Sequence, residues 1–256
     1  MRFFGHMLQR RCLHAWKAVG RHGVHSPLVY GLIDRDLKTP LPREVQEIEK
    51  HRISMLSSKE TWQAQDLGAG SRLTNKTLGQ AVHSATSTPK KGAFLFRWVN
   101  RFQPKNILEL GSHVGIGSAY LLSGNREAYL TTIEGDPFLH QRAQEYLQSI
   151  SNKVTAIQGN FDEVLPRVLP QHKWDLVVID GNHRGEALLR YFEWVLPHLN
   201  ENAWVLMDDI HWSPDMSEAW QQLVNHCGNR LTLDFFQWGA YLHAARNQKE
   251  HFLLHP

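Results

Sequence analysis

Carboxylates that could act in catalysis or hold a metal ion follow two apolar runs of the chain. Asp180 ends the run in "WDLVVID", and Asp208 and Asp209 end "AWVLMDD". If both runs are parallel strands, their carboxyl ends meet at one edge of a sheet, where open α/β sheets bind ligands. Three carboxylates this close repel one another unless they are protonated, hydrogen-bonded or bound to a cation. Oxygen-only ligands suit Mg²⁺ or Ca²⁺, so the sequence predicts a divalent-cation site there.

Two histidines offer an alternative chemistry at the same strand ends. His183 follows Asp180, and His211 follows Asp209. An imidazole has a pKa near neutrality and can serve as a general base for an attacking group. The chain has 16 histidines, so two near the site can also be incidental, and Asp180 can also act only by holding a cofactor or a turn. These interpretations stay open at this point.

Two glycine-rich stretches compete as a cofactor loop, which needs a strand before it, a helix after it and an acid at the tip of the next strand. The stretch "DLGAGSRL" at 66–73 follows the polar "SKETWQAQ" and lacks the later strand and acid, which favours a surface loop. The stretch "ILELGSHVGIGSAYLL" at 107–122 meets every requirement. Glu134 ends the next apolar run, "YLTTIE", where it can accept both hydroxyls of a ribose. The second stretch is therefore the predicted cofactor loop.

The spacing in this loop also indicates the kind of cofactor. Glu109 stands two residues before Gly111, and Gly115 and Gly117 complete the pattern E-x-G-x-x-x-G-x-G. Dinucleotide enzymes use G-x-G-x-x-G, which places backbone N–H groups around a pyrophosphate. An acidic version suits a cofactor that carries positive charge and no phosphate.

The elements that position these residues alternate between short apolar runs and amphipathic helices. Helical patterns at 137–150 and 184–199 separate runs that predict parallel strands covered on both faces. Near the C-terminus, "RLTLDFFQW" and "AYLHAAR" flank Gly239 as a predicted antiparallel hairpin. The predicted fold is α/β, a doubly wound, Rossmann-like, seven-stranded and mostly parallel sheet. The predicted parallel strands are "NILEL", "YLTTIE", "VTAIQG", "WDLVVID" and "AWVLMDD".

The first ninety residues show helix and loop patterns without a strand. We therefore expect residues 1–90 to be a helical N-terminal extension or lid, and residues 91–256 to form the cofactor-binding domain. Basic residues precede the first acid, Asp34, and predict either a solvated helix face or a patch for acidic partners. These basic residues are Arg2, Arg10, Arg11, Lys17 and Arg21.

Composition limits the setting of the protein. With 256 residues and 42% hydrophobic content, the chain can bury the core of one large domain. It has no apolar run of roughly 18 residues and no secretory h-region. Cys12 and Cys227 are far apart and form no CxxC pair. These features predict a soluble protein of the reducing cytoplasm, with no membrane span.

The loop at 109–117 resembles motif I of class I S-adenosylmethionine-dependent methyltransferases, and "TIEGDP" resembles their second motif. The resemblance implies S-adenosylmethionine as cofactor, with Glu134 and Gly135 at its ribose. It places Asn160 near the adenine, where the family often has an acid, with Asp162 as a substitute, and Asp180 beside the methyl group. Residues implied at the methionine and ribose end are Glu109, Gly111, Ser112, Gly115 and Gly117.

From "KKGAFLFRWVNRF" to "DDIHWSP", the chain is most similar to the cation-dependent O-methyltransferases that act on catechols and caffeoyl-CoA. In that group, an Asp after strand four and an Asp-Asn pair after strand five hold the metal. Asp180 and Asp208 match, and Trp212 matches a following tryptophan, whereas Asp209 replaces the amide. The stretch "DGNH" replaces a lysine-bearing stretch. The resemblance implies O-methylation of a small molecule, with a cation or a histidine activating the hydroxyl.

Other functions stay open. An NAD-dependent oxidoreductase is disfavoured by the glycine spacing and the single nucleotide-binding half. A methyltransferase fold that binds nucleic acid or a protein partner through its basic N-terminus belongs to a different class, although a net charge of +3 does not by itself predict nucleic-acid binding. No N/D-P-P-Y/F tetrad follows strand four, which gives no support to N-methylation of adenine or glutamine. The sequence leaves the methyl acceptor undetermined. It also leaves the oligomeric state open, with a homodimer as one alternative.

Overall fold

The computed structural model describes residues 3–63 and 76–255. The contacts divide the chain into two compact units, one of residues 1–35 with 168–256 and one of residues 36–167. These boundaries differ from the expected division at residue 90, because residues 1–35 group with the C-terminal part of the chain. The glycine-rich stretch at 66–73 lies outside the described residues.

Helices and strands alternate along most of the described chain. Short 3₁₀ turns at Arg21–Gly23, Asp36–Lys38, Leu169–Gln171 and Leu196–His198 connect some of them. In chain order the elements are α1 (Phe4–Lys17), α2 (Pro27–Asp34), α3 (Glu44–Leu56), β1 (Thr61–Trp62), β2 (Lys76–Thr77), α4 (Leu78–Ala85), α5 (Pro89–Phe102), β3 (Asn106–Leu110), α6 (Ile116–Gly124), β4 (Tyr129–Glu134), α7 (Pro137–Ile150), β5 (Val154–Gln158), α8 (Phe161–Val168), β6 (Trp174–Ile179), α9 (Gly185–Val195), β7 (Leu199–Asp208), α10 (Pro214–His226), β8 (Leu231–Asp234), β9 (Trp238–His243) and β10 (Glu250–Leu253).

In the unit of residues 36–167, β4 lies between β3 and β5, and all three strands are parallel. Leu110 pairs with Ile133, and Glu134 pairs with Gln158. The carboxyl ends of the three strands are therefore level with one another. The buried side chains of β3 and the crossover helices α6 and α7 follow the predicted pattern of a parallel sheet. The loops that follow β3, β4 and β5 consequently lie at one edge.

Side-chain caps fix where the helices α5 and α7 of this unit begin. The Thr88 hydroxyl accepts the Lys91 N–H at the start of α5. Asp136 Oδ1 accepts the N–H groups of Phe138 and Leu139 at the start of α7. Such caps satisfy N–H groups that have no partner inside the helix. Each cap stands directly before a proline at the first helical position, which is why both helix starts are sharp.

One element of the first ninety residues was not predicted. The strands β1 and β2 form a short antiparallel pair in which Thr61 lies opposite Thr77. The expectation of a strand-free N-terminal region was therefore wrong. Each strand has only two residues, too few to show an alternating apolar pattern.

In the unit of residues 1–35 and 168–256, the strand order is β10-β8-β9-β7-β6. The pairs β6·β7 and β8·β10 are parallel, and β9 is antiparallel to both β7 and β8. The predicted strands β6 and β7 and the closing hairpin are confirmed. Among the described residues, β3 to β10 number eight strands, whereas seven were predicted, and β10 was missed.

The hairpin turns at a different place from the one predicted. Phe236, with φ 71°, lies in the turn, while Gly239 lies inside β9 opposite Met207. A Cβ atom at Gly239 would lie 2.8 Å from the Trp220 ring and 3.0 Å from Ile210. This glycine therefore allows close packing of α10 on the sheet and does not form the turn.

The N-terminal helix α1 belongs to the same unit. His14 is buried on its inner side, and the N–H of Val19 donates to the carbonyl of Leu253 at the end of β10. The predicted helix at 184–199 ends earlier, at Val195, and continues as a 3₁₀ turn around Pro197. In the described part of the chain, no helix is both long enough and apolar enough to cross a membrane.

Candidate cofactor-binding site

The turn between β3 and α6 is built from left-handed backbone conformations. Gly111, His113 and Gly115 have φ values of 100°, 50° and 83°. The Gly115 N–H donates to the Ser112 carbonyl at 2.7 Å and closes the turn. Glycine adopts this region freely, whereas an L-residue such as histidine does so at a cost of roughly 1–2 kcal/mol. The turn presents the first N–H groups of α6 at the carboxyl edge of the sheet.

The glycines of the turn serve different purposes. A Cβ at Gly117 would lie 3.2 Å from Ser87 Oγ and 3.4 Å from Glu109 Oε1, so this position faces polar groups. A Cβ at Gly115 would instead lie 3.2 Å from Leu147 Cγ on α7. Gly115 was predicted to line the cofactor. Its geometry assigns it to the turn conformation and to the packing of α7.

Ser112 carries a polar atom suited to a ligand. Its side chain is buried, and its Oγ has no hydrogen-bond partner among the described residues. Leaving a buried hydroxyl unsatisfied costs about 1–3 kcal/mol. A ligand with a polar group at this turn would satisfy the hydroxyl, so the position fits the predicted cofactor site.

Glu134 lies at the end of β4, beside this turn. Its Oε2 accepts the His113 N–H at 2.8 Å, and its Oε1 accepts the Asp136 N–H at 3.0 Å. A carboxylate has about four lone-pair sites, so acceptor capacity remains. Burial raises the pKa of Glu134 to about 7, against the effect of the backbone N–H groups of Asp136, His113 and Gly135. This carboxylate is oriented by the backbone and can still accept a hydrogen bond from a hydroxyl group.

Glu109 supplies a second buried acid next to Gly117. Its Oε2 accepts hydrogen bonds from the hydroxyls of Ser118 and Thr132. Burial and, to a smaller extent, the charge of Glu134 raise the pKa of Glu109 to about 7, against the effect of the Ser118 and Thr132 hydrogen bonds. Both acids are therefore poised to change ionisation near neutral pH. A cation bound beside them would favour their charged forms.

Gly135 and Asn160, two further predicted cofactor contacts, lie in the same unit. The Gly135 carbonyl accepts a hydrogen bond from Gln158 Nε2 at 2.9 Å, which joins the ends of β4 and β5. Asn160 Oδ1 accepts the Asp162 N–H at 2.9 Å. The side-chain oxygen of Asn160 thus supports the start of α8. Asp162 itself is exposed.

Sequence reasoning did not identify the residues that cover this turn. Thr86 Oγ1 lies 3.0 Å from His113 Nδ1, and the buried Ser87 faces Gly117. The Trp62 indole N–H donates to Asp136 Oδ2 at 3.0 Å, and its ring stacks on Phe138. The run of Ser and Thr before Pro89 was the available signal, and it predicted only a loop.

Asp180 and His183 lie together in the other unit, after β6. His183 Nε2 is 4.0 Å from Asp180 Oδ1, and both side chains are partly exposed. The pair sits on an irregular turn, in which Asn182 has φ 52° and donates through Nδ2 to Tyr191 Oη at 3.0 Å. An exposed imidazole oriented by a carboxylate can accept a proton.

The predicted three-carboxylate metal site is not assembled. Among residues 3–63 and 76–255, no group of three or more His, Cys, Asp and Glu side chains could hold a metal ion. Asp208 is buried at the end of β7, whereas Asp209 has φ 54° and is more exposed. Successive residues at a strand end point in opposite directions, which separates the two carboxylates. Asp180, Asp208 and Asp209 therefore do not fit a three-ligand cation site here.

His211 has both ring nitrogens engaged inside the protein. Its Nδ1 lies 3.2 Å from Ser217 Oγ, and its Nε2 lies 2.9 Å from Asp234 Oδ2. The indole N–H of Trp220 donates to the same Oδ2 at 3.0 Å, and His14 Nε2 lies 3.1 Å from Asp234 Oδ1. A histidine buried in this network has no free nitrogen to act as a base. The geometry therefore favours a structural role for His211 over the predicted catalytic one.

Comparisons with known proteins agree with this geometry. Residues 108–210 match a family described as a methyltransferase domain. A relative in Mycobacteroides abscessus, provisionally named an O-methyltransferase, is 36% identical over 98 residues, which cover 37% of this chain and 45% of the relative. A protein of Niastella koreensis named catechol O-methyltransferase is 24% identical over 142 residues, covering 54% of this chain and 63% of the relative. The chain thus spans about half the length of the curated relatives it matches.

Solved structures extend the similarity to most of the chain. The methyltransferase PaMTH1 of Podospora anserina, bound to S-adenosylhomocysteine, has a TM-score of 0.61 at 15% identity and covers 87% of this chain and 97% of its own. An O-methyltransferase of Bacillus cereus, also in complex with S-adenosylhomocysteine, has a TM-score of 0.55 at 14% identity and covers 85% and 96%. At these identities the likeness concerns the fold. Residues 108–210 thus resemble a methyltransferase domain, and the chain shares the fold of these solved structures.

Proposed function

We propose that this protein is an S-adenosylmethionine-dependent methyltransferase that methylates an oxygen atom of a small molecule. The observation that carries the proposal is the partly buried Glu134 carboxylate beside the glycine turn, which the backbone N–H groups of His113 and Asp136 orient. The methyltransferase-domain match and the similarity to O-methyltransferases support it.

Residues of the 36–167 unit would hold the cofactor. Glu134 would accept the two ribose hydroxyls, and the buried Ser112 Oγ would bond a polar group at the methionine end. The ionised Glu109 would favour a cationic ligand beside Gly117. When bound, S-adenosylmethionine supplies an electrophilic methyl group on a positively charged sulfur. We include Trp62, Thr86 and Ser87 in the site as its cover, because they contact the cofactor loops.

A hydroxyl attacks well only after its proton is removed. We assign that role to His183, whose side chain is partly exposed and whose Nε2 lies 4.0 Å from Asp180 Oδ1. Asp180 would help to position the imidazole. Geometric positioning of the acceptor would supply the rest of the rate enhancement. The described carboxylates do not form a three-ligand site. The scheme therefore assigns removal of the proton to His183 and includes no step on a metal ion.

The test combines binding with turnover. We expect the protein to bind S-adenosylhomocysteine in isothermal titration calorimetry and to transfer a labelled methyl group to members of a panel of catechols and phenols. His183→Asn should lower kcat by about 10²–10⁴-fold while leaving the affinity for S-adenosylhomocysteine unchanged. His226→Asn, a change at an exposed position on α10, is the matched control.

Two results would overturn parts of this proposal. Failure to bind S-adenosylhomocysteine would refute the cofactor assignment. Activity that disappears in EDTA and returns with Mg²⁺ would show that a cation activates the hydroxyl and would displace His183 from that role.

Cys12 and Cys227 form no disulfide, and we propose a reducing cytoplasmic setting. A homodimer is tested by light scattering.

A further inference from the structure

The N-terminal helix α1 has one face held firmly against its own unit. His14 is buried and contacts Asp234, and His6 Nε2 lies 3.0 Å from Ser217 Oγ. After the helix, Val19 bonds to the end of β10. Residues 6 and 14 are eight apart, so they lie on the same side of the helix. These contacts fix which side of α1 faces outward.

The outward side of α1 is apolar. Phe4, Leu8 and Trp16 have relative exposures of 69%, 53% and 81%. They recur at intervals of four or eight residues, with the exposed Cys12 between them, so they line one side of the helix. We call Phe4, Leu8, Cys12 and Trp16 the outer stripe. It extends about 18 Å along the helix axis.

The charge that α1 itself carries has one sign. Arg10, Arg11 and Lys17 lie on this helix, and no acid precedes Asp34 in the sequence. Arg10 faces His6 and His14 on the held side, and Arg21, after the helix, pairs with Asp34. Arg11 and Lys17 are exposed. An apolar face with Trp and Phe, flanked by Arg and Lys, is the composition of helices that lie in the interface of anionic membranes. Binding to nucleic acid would require basic side chains along the outward side of α1, where the apolar residues of the outer stripe lie.

We propose that α1 is a membrane-surface docking element that places the outer stripe in the headgroup region of an anionic phospholipid bilayer. Arg11, at the edge of the outer stripe, would contact the lipid phosphates, and the charge of the exposed Lys17 would add to the attraction of the anionic surface. The helix would lie parallel to the surface without crossing it. This arrangement requires no rearrangement of α1, because the side held by His6 and His14 is the opposite one. The inference is independent of the methyl-transfer reaction.

Vesicle sedimentation tests the proposal on the full chain. We expect the protein to sediment with vesicles of phosphatidylglycerol and phosphatidylcholine in 50 mM salt, and much less with phosphatidylcholine alone. The triple variant Phe4→Ser, Leu8→Ser, Trp16→Ser should lower the partition coefficient at least tenfold. The double variant Arg11→Glu, Lys17→Glu should lower it by roughly 25-fold or more, about fivefold for each basic charge.

A matched control removes three exposed apolar side chains elsewhere. The triple variant Ile53→Ser, Tyr129→Ser, Ile150→Ser changes residues with exposures of 59%, 61% and 46%, and it should sediment like the unchanged protein. Circular dichroism and thermal unfolding verify that each variant folds. Methyl transfer in the absence of lipid should be the same for the outer-stripe variants, so failure of this proposal and failure of the enzymatic one are distinguishable.

Several outcomes would overturn the inference. The unchanged protein could fail to sediment with anionic vesicles, or the outer-stripe variant could sediment equally well. Light scattering could show a dimer that the outer-stripe variant dissociates, which would make a second copy of the chain the occupant. Retention on RNA, lost in the arginine and lysine variant and accompanied by no vesicle binding, would assign the helix to nucleic acid.

Discussion

The ionisation of Glu134 predicts how cofactor affinity depends on pH. The pKa of this carboxyl is raised to about 7 by burial, against 4.5 for the ordinary group. Ribose hydroxyls donate to the ionised form, so ligand binding favours loss of the proton. The ionised fraction is roughly a tenth at pH 6 and about nine tenths at pH 8. We therefore expect the affinity for S-adenosylhomocysteine to be about tenfold higher at pH 8, equivalent to about 1.3 kcal/mol.

Calorimetry can measure both the affinity and the proton. Titrations between pH 6 and pH 8 give the slope, and titrations at pH 7 in buffers of different ionisation enthalpy should show the release of about half a proton. Glu134→Gln should remove the slope and weaken binding by about 1.5–3 kcal/mol for each charged hydrogen bond lost. Because the carboxamide must direct an NH₂ group toward the His113 or the Asp136 N–H, its thermal unfolding must be measured in parallel.

The neighbouring acid provides the comparison that makes the test decisive. Glu109 also has a pKa raised to about 7 by burial, but its Oε2 is already bonded to Ser118 and Thr132. Glu109→Gln should keep most of the slope. A pH-independent affinity in the unchanged protein would refute the ribose assignment. If the pH dependence of the affinity survived in Glu134→Gln and vanished in Glu109→Gln, the titrating group would be Glu109.

Three further predictions concern stability and the turn. Asp234→Asn should lower the free energy of unfolding in urea by about 3–5 kcal/mol. The loss of stability should be largest between about pH 4 and 6.5. In this range Asp234 is ionised and His14 is protonated, because the pKa of Asp234 is lowered from 3.8 by its bond to His14 and the pKa of His14 is raised from 6.5. An equal loss at pH 9 would contradict this. Gly92→Ala should lower the free energy of unfolding by about 1–3 kcal/mol, because a Cβ would lie 2.3 Å from the Tyr120 ring. An unchanged Tm would refute the close contact. Ser112→Ala should raise the thermal stability of the ligand-free protein, because it removes a buried hydroxyl that has no partner among the described residues, and should weaken S-adenosylhomocysteine binding by about 0.5–1.5 kcal/mol. Unchanged affinity would remove Ser112 from the site.

The sequence predicted the elements whose signal is local. The apolar runs of β3 to β7 and the glycine turn each carry their pattern within a few consecutive residues. The hairpin turn was misplaced because Gly239 is required by the Trp220 ring, a contact between distant parts of the chain. The short strands β1, β2 and β10 give too few residues for periodicity.

The site was predictable to a similar extent. The position of Glu134 at the end of β4 follows from the strand pattern, and the structure places it beside the glycine turn. The expected cluster of Asp180, Asp208 and Asp209 failed because proximity in sequence does not fix side-chain direction at a strand end. Asp234, which engages His211, ends an antiparallel strand and carried no sequence signal of its role.

His113 joins three parts of the molecule through one residue. Its backbone N–H holds the carboxylate at the end of β4, its imidazole contacts Thr86 ahead of α5, and its φ of 50° shapes the turn itself. A glycine at position 113 would adopt this φ without strain, but it would lose the side-chain contact between the turn and the segment that covers it. The backbone conformation therefore favours glycine at this position, whereas the contact with Thr86 requires the histidine side chain.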